Sequence, residues 1–225
     1  MKNRKVNKVS MNNEGDEFSV NSDEYLPFFE KNISLSCIEF SLDEPIKDAS
    51  YYREVIQRIN DLSHRDSIKI RINSYGGLLD SAIALLHALY ETEAHITTIL
   101  EGAAASAASL ILLAGDEIVI GKYGHMMIHS ASFGAGGIAR NVLENASFTE
   151  KHARELMTDV YKFFLTEEEL AEVFKGMEIR LDSKQISERL EARFEYFQKL
   201  EEEQAKEVTK PKKSKKESSN GEATT

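Results

Sequence analysis

Ser67-Ile-Lys-Ile-Arg-Ile72 alternates apolar and polar residues, Gly76-Gly77 interrupts the chain, and Ala82, Ile83, Leu86, Leu89 and Tyr90 then recur at helical spacing before Ile96-Thr-Thr-Ile-Leu100 resumes as a strand. Strand, glycine break, helix and strand form a β-α-β unit. Upstream, Ile33-Ser-Leu-Ser-Cys-Ile-Glu-Phe40 has the same period of two, and a helical stretch with Val55, Ile59 and Leu62 on one face follows it. Downstream, residues 103–113 are nearly all small and apolar and predict a buried helix. Glu117-Ile-Val-Ile120 and Met126-Met-Ile128 predict two further short strands, and helices dominate from Ile138 onward. Strands alternating with helices over the first two-thirds predict an α/β domain around a mainly parallel sheet.

Both ends read as appendages to that domain. Residues 1–23 are mostly Asn, Ser, Lys, Glu and Asp, with too little apolar surface to offset the entropy of ordering, and predict disorder. The expected central domain covers residues 24–190, followed by a charged helical extension over 191–205. Residues 206–225 form a disordered tail whose six Lys against three Glu give a net +3, leaving −13 on the rest of a chain of net charge −10. That balance argues against a body that coats nucleic acid or an anionic membrane. One cysteine, Cys37, excludes an intrachain disulfide and a Cys-rich zinc site, and suits a reducing cytoplasm. The longest apolar run, residues 103–114, is broken by Ser106 and Ser109 and is too short to span a bilayer. The polar, basic residues 1–13 have no apolar stretch behind them, so no secretory signal is expected.

Chemistry concentrates in three places. Ser106 stands in Glu101-Gly-Ala-Ala-Ala-Ser-Ala-Ala-Ser109, after a strand and at the mouth of the most apolar helix, where a helix N-terminus can stabilise a developing anion. Its environment suits a nucleophile, although Ser106 and Ser109 also read as small residues that let helices pack closely. A hydroxyl nucleophile needs a base. His64, His87, His95 and His152 have charged neighbours and read as solvated, whereas His129 closes Met126-Met-Ile128 and opens Ser130-Ala-Ser-Phe-Gly-Ala-Gly-Gly137. His125 would share its face but sits in a Gly124 turn. Gly76-Gly77 is either a turn needing positive φ or a backbone approach site for an oxyanion. No Gly-Lys-Ser/Thr or Gly-x-Gly-x-x-Gly motif supports phosphate binding.

Taken together, these residues resemble the Clp peptidase proteolytic subunit family, ClpP. The family's Ile-Asn-Ser-Pro-Gly-Gly appears as Ile72-Asn-Ser-Tyr-Gly-Gly77, its Gly-x-Ala-Ala-Ser motif as Gly102-Ala-Ala-Ala-Ser106 and its Met-Ile-His motif as Met127-Ile-His129, in the family's order over residues 33 to about 190. The resemblance implies a crotonase-like α/β fold of repeated β-β-α units with a protruding handle helix over residues 138 to about 165. It implies a serine peptidase without cofactor or metal, with Ser106 as nucleophile, His129 as general base and acid, and the N–H groups of Gly77 and Ala107 as the oxyanion hole. Phe133-Gly-Ala-Gly-Gly137 falls at the family's substrate-pairing strand, which assigns Phe133, Gly134, Ala135, Gly136 and Gly137 to polypeptide binding. The implied partners are further copies of the chain in a ring and an ATPase unfoldase. Divergent termini would also suit a virus-encoded relative.

The family's acid is an Asp; its position holds Glu178 in Gly176-Met-Glu-Ile-Arg-Leu-Asp182, with Asp182 as the alternative, though Asp182 also reads as a helix N-cap. Tyr75 replaces the family's Pro, no Pro follows His129, and the charged helix over 187–204 replaces the family's closing segment. The acid's departure motivates a rival, a catalytically silent assembly or adaptor subunit. A crotonase-like enzyme acting on acyl-CoA thioesters is the third reading, for which Ser106 and His129 would be coincidental. Val142, Leu143, Phe148, Leu156, Val160, Phe163 and Phe164 predict more apolar surface than one core can cover, hence a homo-oligomer.

Overall fold

The computed structural model describes residues 35–132, 134 and 136–208, together with three short strands ahead of them. Those strands, β1 (Asn7–Ser10), β2 (Glu17–Val20) and β3 (Phe29–Glu30), pair in that order as a small antiparallel sheet. β1 and β2 pair over four positions, from Asn7↔Val20 to Ser10↔Glu17. The residues around them lie outside the described part, as does 209–225 of the Lys-rich tail.

The main sheet has six strands: β4 (Cys37–Leu42), β5 (Ser67–Ser74), β6 (His95–Ala105), β7 (Glu117–Ile120), β8 (His125–Ile128) and β9 (Ile179–Asp182). They are ordered β4-β5-β6-β8-β9, with β7 also paired to β6. The pairings are parallel except β8 with β9, which is antiparallel. The helices are α1 (Arg53–Asn60), α2 (Leu79–Glu91), α3 (Ala107–Leu112), α4 (Ala139–Val160), α5 (Glu167–Phe174) and α6 (Ser183–Val208). This is the mixed α/β architecture that the β-α-β pattern predicts.

Alternation decides which face is buried. Ile68, Ile70 and Ile72 of β5 and Ile96 and Leu100 of β6 enter the core with Leu85, Leu86 and Leu89 of α2 and Ile111 and Leu112 of α3. The opposite face of these strands is more exposed, and there Arg71 pairs with Glu39 on β4 at 2.7 Å and with Glu101 on β6 at 2.6 Å. Such exposed pairs contribute little, so the apolar face carries the sheet.

Two elements differ from the sequence-based expectation. Ala103, Ala104 and Ala105 continue β6 rather than opening a helix over 103–113, because β8 pairs with them (Ala103↔His125 to Ala105↔Met127) and the Ala103 N–H donates to Asn73 Oδ1 at 3.1 Å. Eleven residues let β6 accept β7 on its first half and β8 on its second. Helices also do not fill all of the chain after Ile138. β9 interrupts them, since Ile179 and Leu181 alternate with Arg180 and Asp182 and find a ladder on β8. α6 runs through residue 190 as one helix.

The start of α5 is tied to α6. Thr166 and Glu169 form a capping box at the start of α5, and Arg189 of α6 grips the Glu169 carboxylate through two bonds of 2.8 and 2.6 Å while donating to the Phe164 carbonyl at 3.1 Å. The Arg189 hydrogen bond, assisted by the Thr166 N–H, holds the Glu169 carboxyl below its ordinary range despite partial burial. A carboxylate depressed by folding stabilises fully above its unfolded value of about 4.3 and loses that contribution as pH falls through the folded value. Glu169→Gln is therefore expected to cost about 1–2 kcal/mol at pH 7. Denaturant melts of parent and variant should converge in acid; a gap that persists at pH 3 would contradict this account.

α4 divides along its length. Ala153, Met157 and Val160 are buried, and Tyr161 and Phe164 just beyond it join the core, whereas Ile138, Leu143 and Phe148 are 73–74% exposed. Among the described residues no helix is long and apolar enough to cross a membrane.

Candidate active site

β6 ends at Ala105 and α3 begins at Ala107, so the whole reversal from strand to helix falls on Ser106. Its φ of 54° and ψ of −128° lie where L residues are rarely found. Hydrogen bonds hold it on both sides. The Ser106 N–H donates to the Met127 carbonyl at 2.8 Å, and the Ser106 carbonyl accepts from the Ser109 N–H at 3.0 Å and from Ser109 Oγ at 2.5 Å. The side chain is thereby set at the C-terminal end of the parallel strands, where open α/β sheets place their ligand sites.

Gly76 and Gly77 pass against this turn. A Cβ on Gly76 would stand 2.6 Å from the Ala105 carbonyl oxygen and 2.7 Å from Ser106 Cβ, and its φ of +91° is itself a conformation that favours glycine. The bridge from Gly77 to Ile46 uses the Gly76 carbonyl, which accepts from Ile46 N–H, and the Leu78 N–H, which donates to Ile46. The Gly77 N–H is thus directed away from Ile46. Ala107 is the first residue of α3, and its N–H has no partner within the helix. These pairings leave one backbone N–H over on each of Gly77 and Ala107.

A cavity of about 680 Å³ opens at this point, and Gly77, Ser106, Ala107, His129 and Gly134 all line it. Leu78, Leu110, Met157 and Tyr161 supply apolar wall, and Asp48 and Asp80 are its carboxylates. Gly136 and Gly137 are described but do not line it, and Phe133 and Ala135 lie outside the described residues. Ser106 and His129 share the cavity, but among the described residues no hydrogen bond joins them. His129 is half-buried and follows β8 directly, while His125 is the exposed first residue of that strand rather than part of a turn, with its ring 6.3 Å from Tyr75.

The β8–β9 ladder sorts the two acids. It runs from His125↔Asp182 to Ile128↔Ile179, so the next residues beyond its end are His129 and Glu178, on the same side of the sheet. Asp182 sits opposite His125, four residues or about 13 Å along the strand. Asp182 Oδ1 accepts the Gln185 N–H at 2.9 Å, and Gln185 Oε1 accepts the Asp182 N–H at 3.0 Å, which is a helix cap. The exposed Glu178 carboxylate accepts from Arg180 at 2.6 Å.

The sequence offered no sign of Tyr161. It follows a helix that reads as a surface element, yet it is buried, lines the cavity and has its OH 2.7 Å from Ser109 Oγ. Ser109, whose spacing suggests only close packing, is fully buried within this network.

Comparison with known proteins agrees with the motifs. The Clp protease family model matches residues 35–182. The chain is 31% identical over 105 residues to the ATP-dependent Clp protease proteolytic subunit of Chlorokybus atmophyticus, covering 46% of each chain. It is 28% identical over 136 residues to the protein of the same description from Chlorella vulgaris, covering 60% of this chain and 66% of that one. It is 30% identical over 105 residues to that of Mesostigma viride, covering 46% and 45%. The aligned stretches thus span about half to two thirds of these relatives' own length. With about two thirds of its residues matched, in a segment that encloses Gly77, Ser106, His129 and Glu178, the chain belongs to the Clp protease family.

Proposed function

We propose that this chain is a serine peptidase that hydrolyses peptide bonds of unfolded or flexible polypeptides through Ser106, His129 and Glu178. One observation carries the reading: a serine on a strained strand-to-helix turn lines a single cavity with a histidine and two glycine- or alanine-borne N–H donors. Ser106 Oγ attacks the scissile carbonyl as His129 takes its proton, and the Gly77 and Ala107 N–H groups receive the oxyanion. His129 then returns the proton to the leaving amine, and water hydrolyses the acyl-enzyme by the same route. Gly134 and the glycines after it leave room for an extended peptide. Covalent labelling by a fluorophosphonate, mapped to the peptide that contains Ser106, tests the reading.

Glu178 is the acid in this proposal, a choice supported by the β8–β9 register, which pairs it with His129 when continued one residue past Ile128↔Ile179. It must exchange Arg180 for the imidazole. Glu178→Gln should lower kcat by about 10²–10⁴-fold with little change in KM, having kept the shape but removed the charge that stabilises imidazolium. Asp182→Asn should mainly weaken the α6 cap, by about 1 kcal/mol or less. Steady-state kinetics and melts of both variants check this, and the reverse pattern would transfer the role to Asp182.

The exposed Ile138, Leu143 and Phe148 on one half of α4 favour a homo-oligomer, in which the handle helices meet and the sites face a shared chamber. An ATPase unfoldase that feeds the chamber, and a reducing, cytoplasmic setting for the free Cys37, complete the proposal. The silent-subunit reading draws on the Glu178–Arg180 pair and predicts an oligomer that no fluorophosphonate labels.

A further inference from the structure

Tyr161 and Ser109 are buried polar groups that the proposed chemistry leaves unused, and together they reach the nucleophile's own backbone. The Tyr161 OH lies 2.7 Å from Ser109 Oγ, which lies 2.5 Å from the Ser106 carbonyl oxygen. Both residues are at most 2% exposed. Chemistry fixes the direction of the chain. A carbonyl oxygen only accepts, so the single Ser109 hydroxyl hydrogen goes to Ser106, and the Tyr161 OH must donate to Ser109 Oγ. Burial raises the Tyr161 phenol far above its ordinary value, which keeps it a donor at any working pH.

The Ser106 carbonyl is one end of a peptide unit whose other end is the Ala107 N–H. That unit is planar and trans, so its C=O and N–H point in opposite directions, and a contact that pins the oxygen also sets the bearing of the N–H. We infer that Tyr161 and Ser109 are positioning residues that hold the Ser106–Ala107 peptide plane, and through it aim the Ala107 N–H at the oxyanion. The inference rests on the serine peptidase reading. It also gives the end of α4 a grip on the active site, because Tyr161 caps that helix while lining the cavity.

Preorganised donors count because they need not reorient as the charge develops, so a peptide plane free to rock should cost turnover rather than binding. In the full-length oligomer, Tyr161→Phe should lower kcat about 10-fold with KM within about twofold, and weaken inhibition by a peptide aldehyde by a similar factor, since its hemiacetal oxygen occupies the same donors. Ser109→Ala should show the same split, and the double variant should lose no more than the larger single loss. Ser109→Ala alone carries the test if Tyr161→Phe fails to fold. Unchanged kinetics in a folded variant, a loss confined to KM, or additive losses in the double variant would overturn the inference while leaving the peptidase reading intact. A parent that is neither active nor labelled by a fluorophosphonate overturns both.

Discussion

Ser106→Ala is expected to reduce peptide hydrolysis by at least about 10⁴-fold and to remove fluorophosphonate labelling, while the protein stays folded. The change deletes one oxygen from a site already flanked by Ala105 and Ala107. Every hydrogen bond that fixes the turn involves backbone atoms of position 106: the N–H to Met127 and the carbonyl to Ser109. Turnover of a fluorogenic peptide, intact-mass labelling and a thermal melt together check the expectation. Labelling that persists in the variant, or moves to Ser109, would sink the assignment of the nucleophile.

His129→Ala should cost at least about 10³-fold in kcat, whereas His125→Ala should stay within about threefold of the parent. Both imidazoles lie on one side of β8, but the strand carries His125 about 13 Å away from His129. Ser106 is tied to the far end, its N–H bonded to Met127, and it shares its cavity with His129 but not with His125. The first histidine instead faces Tyr75, the residue that stands where the family has proline. Comparable losses in the two variants, measured on one peptide substrate, would mean that the pair is structural or that the base is misassigned.

How far the sequence carried depends on the range of the interactions involved. β5, α2 and the first half of β6 were legible because one face of each meets a single core, and apolar spacing reports that directly. Ser106 and His129, which line one cavity, stood out as candidates because each sits at an abrupt change of pattern, from strand to alanine-rich helix and from apolar strand to glycine loop. β9 was not, since four residues hold barely two periods and its strand character comes from β8, more than fifty residues upstream. Residues 103–105 were misread for the same reason. Alanine suits either state, and partners on β5 and β8 decided for strand. Tyr161 shows the limit most clearly, because nothing local to a tyrosine at the end of a helix announces a serine fifty-two residues earlier.

The φ of Ser106 has a consequence for how this chain could change over generations. A side chain in that conformation costs of order 1–3 kcal/mol, and glycine, which has no Cβ to clash, would relieve much of it. Stability and reactivity therefore pull position 106 in opposite directions: the residue that would make the turn comfortable is the one that cannot form an acyl-enzyme. A copy released from hydrolysis would gain by exchanging this serine for glycine, one nucleotide away from the two serine codons AGU and AGC.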